Sequence, residues 1–136
     1  SVKNLAPKSV WEKRYDHIVN FERLLTDEGT TILKFFLHIS REEQRRRLQA
    51  RLENPEKHWK FHPDDIADRK LWPNLISACE ETIQRTSTDN APWHIIPSNR
   101  KWYRNIAVAS TVRETLAKLE LKFPPPAWDF KGVTIL

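Results

Sequence analysis

The 136 residues, 39% hydrophobic and 30% charged, have the composition of a folded domain with one core, which excludes a disordered tail. The single cysteine, Cys79, cannot close an internal disulfide, and no apolar run approaches the roughly 20 residues that cross a bilayer; a cytoplasmic protein with no membrane attachment is expected. The formal charge of +5 favours an anionic partner and is mostly local, since Arg45, Arg46, Arg47, Arg51, Lys57 and Lys60 stand against only Glu53 and Glu56 between positions 45 and 60. The chain has no methionine and is read as a piece of a longer product.

Ser9-Val10-Trp11-Glu12 has the S-x-x-E form in which a hydroxyl and a carboxylate satisfy opposite free amides at a helix start. The spacing of Trp11, Tyr15, Ile18, Val19 and Leu25 then predicts a helix over about 10–26, stopped by Gly29. Residues 31–39, nearly continuous in apolar and β-branched side chains, predict a parallel strand covered on both faces. Ser40-Arg41-Glu42-Glu43 repeats the cap and opens a charged helix to about Glu53, which Asn54-Pro55 ends because a residue before proline is pushed out of the α region. An irregular basic segment is expected over 56–62.

One or two helices are predicted from Pro63 to about Arg85, with Trp72, Ile76, Cys79 and Ile83 inward. After a loop over 86–92, Trp93-His94-Ile95-Ile96-Pro97 reads as a second buried strand. Ser98 or Asn99 is then expected to cap a long helix with Trp102, Ile106, Ala109, Leu116 and Leu119 inward, stopped by Phe123-Pro124-Pro125-Pro126. Residues 127–136 read as an extended or disordered tail. Two strand-and-helix units form a sheet narrower than a complete doubly wound domain, so further strands are expected before Ser1 or on a partner, and the chain alone should expose a sheet edge.

A phosphate-cradling loop needs several glycines so that successive amides can turn inward, and Gly29 and Gly132 are the only two present. His58 and His62 are four apart, but no carboxylate or thiol set completes a metal site, so no metal ligands are assigned. Cys79 lies on an inward stripe and reads as a small hydrophobe, not a nucleophile. The basic stretch remains. Taken alone it suits a solvated helix face with pairs such as Glu43 with Arg47. Arg47 and Arg51, however, share a helix face that points toward Lys57 and Lys60, so four cations are expected to converge, with Trp59 and Phe61 between them. That pattern suits a lid closing over phosphate.

The series Trp11, Arg14-Tyr15, Ile18, Phe21-Glu22, Leu25, Gly29, Lys34, Leu37-His38-Ile39-Ser40, Glu43-Gln44, Arg47, Arg51, Pro55, Lys57, Trp59-Lys60-Phe61 and Asp65 resembles the second polyphosphate kinase family. It continues through Trp72, Thr86, Ala91-Pro92-Trp93, Lys101-Trp102 and Arg104-Asn105, so the match runs over about 10–119. The resemblance implies an α/β chain that is part of a three-layer P-loop kinase fold, with two parallel strands, their helices and a helical lid. Residues 1–126 are then the C-terminal part of that kinase domain, the lid lies at about 45–71, and 127–136 are a tail.

The implied activity is phosphoryl transfer between inorganic polyphosphate and adenine or other purine nucleoside mono- and diphosphates, with Mg²⁺. Arg47, Arg51, Lys57, Lys60 and Arg69 are the implied phosphate-binding residues. The family's Walker A lysine loop and Walker B Asp-Arg pair precede the region matched, so no catalytic residue is assigned and residues 1–136 alone are expected to be inactive. A homo-oligomer is expected. Where the family shows Trp followed three residues later by Tyr, this chain has Trp72 and Leu75, and any contact of that hydroxyl is lost. The competing readings are a non-catalytic module for polyanions or nucleic acid, and a truncated relative serving only as an assembly partner. Nucleic acid is not favoured, because aromatic stacking platforms on an exposed sheet are not seen.

Overall fold

A computed structural model describes residues 2–129, 131, 132 and 134. In chain order it has α1 (Lys8–Trp11), α2 (Lys13–Asp27), β1 (Lys34–His38), α3 (Arg41–Leu52), a 3₁₀ helix (Pro55–Lys60), α4 (Asp64–Lys70), α5 (Trp72–Thr86), β2 (Trp93–Pro97) and α6 (Lys101–Lys118). The two strands pair in parallel, with Lys34 opposite Trp93 and His38 opposite Pro97. The α/β reading therefore stands, and the crossover from β1 to β2 carries the whole basic stretch.

Several local details differ from expectation. Ser9 makes no cap: the first helix begins at Lys8 behind Pro7, whose carbonyl already accepts from the Val10 and Trp11 amides. Gly29 does terminate α2, with φ 84°; the Thr30 amide reaches the Leu25 carbonyl and the Gly29 amide that of Thr26, the Schellman pairing. Ser40 caps α3, its hydroxyl accepting from the Glu43 amide at 3.1 Å. The reciprocal half of the box is absent, because the Ser40 amide donates to Asn99 Oδ1 at 2.9 Å while the Glu43 carboxylate serves arginines. Pro55 ends the helix as read, but the segment after it is an ordered 3₁₀ helix capped by Asn54, whose Oδ1 accepts from the Glu56 amide.

Neither Ser98 nor Asn99 caps α6. That helix starts after Arg100 with no side-chain cap, while the Ser98 hydroxyl donates to the Ile96 carbonyl and Asn99 turns to Ser40. It ends at Lys118, before the proline run, with Glu120 in the left-handed region at φ 45°. Lys131 donates its amide to Asp129, and Gly132 has φ 83°; the rest of the expected tail falls partly on residues 130, 133, 135 and 136, outside the described residues.

A polar clamp joins helices to sheet. Lys34 Nζ, at the start of β1, donates to Glu22 of α2 at 2.7 Å and to the Thr86 carbonyl of α5 at 2.6 Å, and lies 5.3 Å from the Trp93 ring centroid. Trp93 Nε1 in turn donates to Thr86 Oγ1. Arg85 of α5 stacks over Tyr15 of α2 at 4.2 Å. Ile76, Cys79 and Ile83 of α5, from the predicted inward stripe, line one cavity with Phe36 and Ile95 of the strands.

The strands are not fully buried. Leu37 is 48% exposed and Ile95 58%, because a pair of strands gives each residue one neighbour where a wider sheet gives two. The inward stripe predicted for α6 is also reversed. Trp102, Ile106, Leu116 and Leu119 are exposed, and the half-buried residues are Ala107, Val108, Thr111, Val112 and Thr115. α6 contacts β2.

Candidate functional site

The predicted cations separate into a base and a tip. At the tip, Lys57 and Lys60 are three apart in the 3₁₀ helix, where residues i and i+3 eclipse, so both stand on one exposed face. Arg51, at the end of α3, supports that turn from below, Nη1 donating to the Lys60 carbonyl at 3.3 Å and lying 3.8 Å from Asp65 Oδ2. Lys60 Nζ lies 4.6 Å from the centroid of Trp59, itself 79% exposed. The ammonium is thereby held over an aromatic face. His58, on the same turn, closes onto the Leu52 carbonyl at 2.9 Å. The structure thus sets Arg51 against the turn whose residues include Lys57 and Lys60.

Arg47 goes elsewhere, so four cations do not converge. Its Nε donates to Glu43 at 2.7 Å, and its Nη2 to the Ser98 carbonyl at 2.7 Å and the Asn99 carbonyl at 3.2 Å, beyond the end of β2. An arginine placed four residues after a glutamate is drawn back along its own helix, and the i,i+4 pair predicted from sequence aims it at the sheet. Arg69 of α4 reaches the first turn of α3, Nη1 donating to the Arg41 carbonyl at 2.8 Å and to Gln44 Oε1 at 2.9 Å. These contacts use one nitrogen of its guanidinium fork.

Glu43 is the acidic hub of the base. Hydrogen bonds from Arg46, then from Arg47, hold its carboxyl far below the usual carboxylate range, at about 2. Glu42 is lowered by Arg45. Burial raises the Cys79 thiol, with Glu80 adding to the effect, which fits the reading of Cys79 as packing. Asn99 is the residue the sequence reading misplaced: it follows a strand directly, where a cap is the usual assignment. The signal available was that the sheet is parallel, so Asn99 and Ser40 leave adjacent strands at the same end.

The Mg²⁺ implied by resemblance finds no cage here, because among the described residues no group of three or more His, Cys, Asp or Glu side chains is placed to hold a metal ion. Among the described residues no helix is long and apolar enough to cross a membrane.

Residues 1–124 match the family model Polyphosphate kinase 2 (PPK2). The chain is 58% identical over 134 residues to an AMP/ADP-polyphosphate phosphotransferase of Meiothermus ruber, an alignment that takes in 98% of this chain and 50% of that protein. It is 42% identical over 115 residues to an uncharacterized protein in the chlN 3′ region of Leptolyngbya boryana, covering 85% of each chain. The crystal structure of Polyphosphate Kinase 2 from Arthrobacter aurescens superposes with a TM-score of 0.90 at 43% identity, over 94% of this chain and 45% of that one. The chain thus spans about half the length of the Meiothermus protein and of the Arthrobacter structure, and its strands and helices are part of a P-loop kinase fold. On the family model, the identity and the fold together, the chain belongs to the polyphosphate kinase 2 family.

Proposed function

We propose that the chain supplies the phosphate-holding lid of a phosphotransferase that moves phosphoryl groups between inorganic polyphosphate and AMP or ADP. The observation that carries this is the tip: Lys57 and Lys60 on one face of the 3₁₀ helix, with Arg51 bonded beneath it. Loose phosphoryl-transfer transition states spread charge over the equatorial oxygens, and catalysis rests on positioning and electrostatic shielding. Two ammonium groups and a guanidinium supply that shielding without covalent chemistry. Arg69 adds its remaining donors from the side of α4.

No side chain here is assigned to bond making or breaking. The 136 residues contain no glycine-rich lysine loop, so the described lid acts on phosphates that other groups must activate. We place the protein in the cytosol, acting on purine nucleotides, as a homo-oligomer.

Polyphosphate binding by residues 1–136, measured by titration and by competition with an oligonucleotide of equal charge, tests the reading. Polyphosphate is expected to win, and Lys57→Ala with Lys60→Ala to weaken it at least about tenfold, as loss of two charge-assisted contacts implies. Preference for the oligonucleotide would replace this reading with the nucleic-acid module.

A further inference from the structure

The two ends of the parallel sheet that face the lid are tied by a closed ring of hydrogen bonds. The Ser98 amide donates to the His38 carbonyl at 2.7 Å, extending the ladder one residue past β2. Beyond it, the Ser40 amide donates to Asn99 Oδ1 at 2.9 Å, and Asn99 Nδ2 returns to Ser40 Oγ at 3.3 Å. Ser40 Oγ also accepts from the Glu43 amide, Glu43 holds Arg47, and Arg47 closes the ring on the Ser98 and Asn99 carbonyls. Ser98 is 2% exposed, and the Glu43 and Arg47 side chains are 11% and 24% exposed, so water competes weakly for the bonds from Arg47 to Glu43 and to the Ser98 carbonyl, while the bonds to Asn99 are exposed. The tip is held by fewer bonds, from Arg51 to the Lys60 carbonyl at 3.3 Å and from His58 to the Leu52 carbonyl at 2.9 Å, both exposed.

We propose that Arg47 and Asn99 are positioning residues of the lid. Arg47 contacts no phosphate; with Asn99 it locks the base of α3 to the end of β2, so that closure takes place beyond Leu52, about Asn54 and Pro55, and carries Lys57 and Lys60 alone. The inference rests on the proposed phosphate role of the tip. It explains why a guanidinium inside a basic stretch is turned inward onto carbonyls, and why the asparagine after β2 leaves its own helix uncapped.

The test compares Arg47→Ala, Asn99→Ala and Lys57→Ala in residues 1–136, with inorganic polyphosphate as probe. Two readouts are taken: the salt dependence of binding, and amide exchange along the chain. A phosphate ligand releases counterions, so Lys57→Ala should flatten the slope of log affinity against log salt by roughly 0.7 to 0.9. Arg47→Ala and Asn99→Ala should weaken binding about three- to tenfold through lost preorganisation and leave the slope unchanged. Exchange at residues 40–47 should rise on the order of five- to tenfold in both, with residues 55–60 unaffected. Asn99→Ala leaves every cation in place and serves where Arg47→Ala fails to fold.

A slope reduced in Arg47→Ala as in Lys57→Ala makes Arg47 a phosphate ligand and overturns the proposal. Affinity and exchange unchanged in both variants overturn it as well, as does exchange that rises over the whole chain. If wild-type residues 1–136 do not bind polyphosphate, the reading of the tip fails by itself. The exchange pattern still decides the lock: a rise confined to 40–47 upholds it, and any other pattern ends it.

Discussion

Two side chains carry more of this fold than their exposure to sequence reading suggests. Lys34 and Glu22 are 10% and 13% exposed and pair at 2.7 Å, while Lys34 also satisfies the C-terminal carbonyl of Thr86. Lys34→Ala leaves a shielded carboxylate without a partner and should destabilise the chain by about 3–5 kcal/mol in urea denaturation, whereas Lys34→Met with Glu22→Leu should recover most of the loss. A single-variant cost below about 1 kcal/mol would mean the pair behaves as a surface bridge. Glu43 supplies a pH handle. Its folded-state value of about 2 lies below the ordinary 4.5, so its contribution is complete above pH 4.5 and disappears as pH falls toward 2. Wild-type stability measured between pH 5 and pH 2 should therefore fall more steeply than that of Glu43→Gln, and parallel profiles would refute the assignment. Of these residues the sequence reading found Glu43 with Arg47 through i,i+4 spacing. Lys34 with Glu22 was invisible to it, because the two are brought together only when β1 lies against α2.

At the scale of elements, legibility followed local chemistry. Gly29, Ser40 and Asn54-Pro55 act through backbone rules that need no tertiary partner, and all three end or begin a helix as read. Ser9 and Asn99 match the same rules by residue type and fail them. Pro7 had already opened the first helix, and Ser40 offered Asn99 a donor across the sheet. The 3₁₀ helix was missed for a related reason, since its proline, lysines and histidine read as irregular until Asn54 caps it. Gly29 tests the local rule directly. At φ 84°, with nothing within 4 Å of an added Cβ, any cost of substitution is conformational alone. Gly29→Ala should cost about 1–2 kcal/mol and Gly29→Asn clearly less, because asparagine tolerates the left-handed region. Equal costs for the two would mean the Schellman turn rearranges.

Over the whole molecule, the reading of α6 shows what periodicity leaves open. The helix carries two apolar stripes, one of Trp102, Ile106, Leu116 and Leu119, the other of Ala107, Val108, Thr111, Val112 and Thr115. The sequence reading took the first as the inward face, yet it is the second that is half-buried where α6 lies against the two-stranded sheet. The larger stripe is left 44–59% exposed. Together with Leu37 and Ile95 on the strands and Phe21 and Leu24 on α2, it leaves much apolar surface exposed, while among the described residues only Tyr15, Leu48, Ala91 and Ile96 are buried hydrophobics. A chain built this way should bind a hydrophobic dye and self-associate with rising concentration. Ile106→Glu with Leu116→Glu should cut dye fluorescence severalfold and shift sedimentation toward the monomer, while thermal stability changes by no more than about 0.5 kcal/mol, the usual range for surface sites. A stability loss of several kcal/mol in that variant would place Ile106 and Leu116 in the core and return the sequence-based orientation of α6; unchanged fluorescence would show that the stripe is already covered in solution.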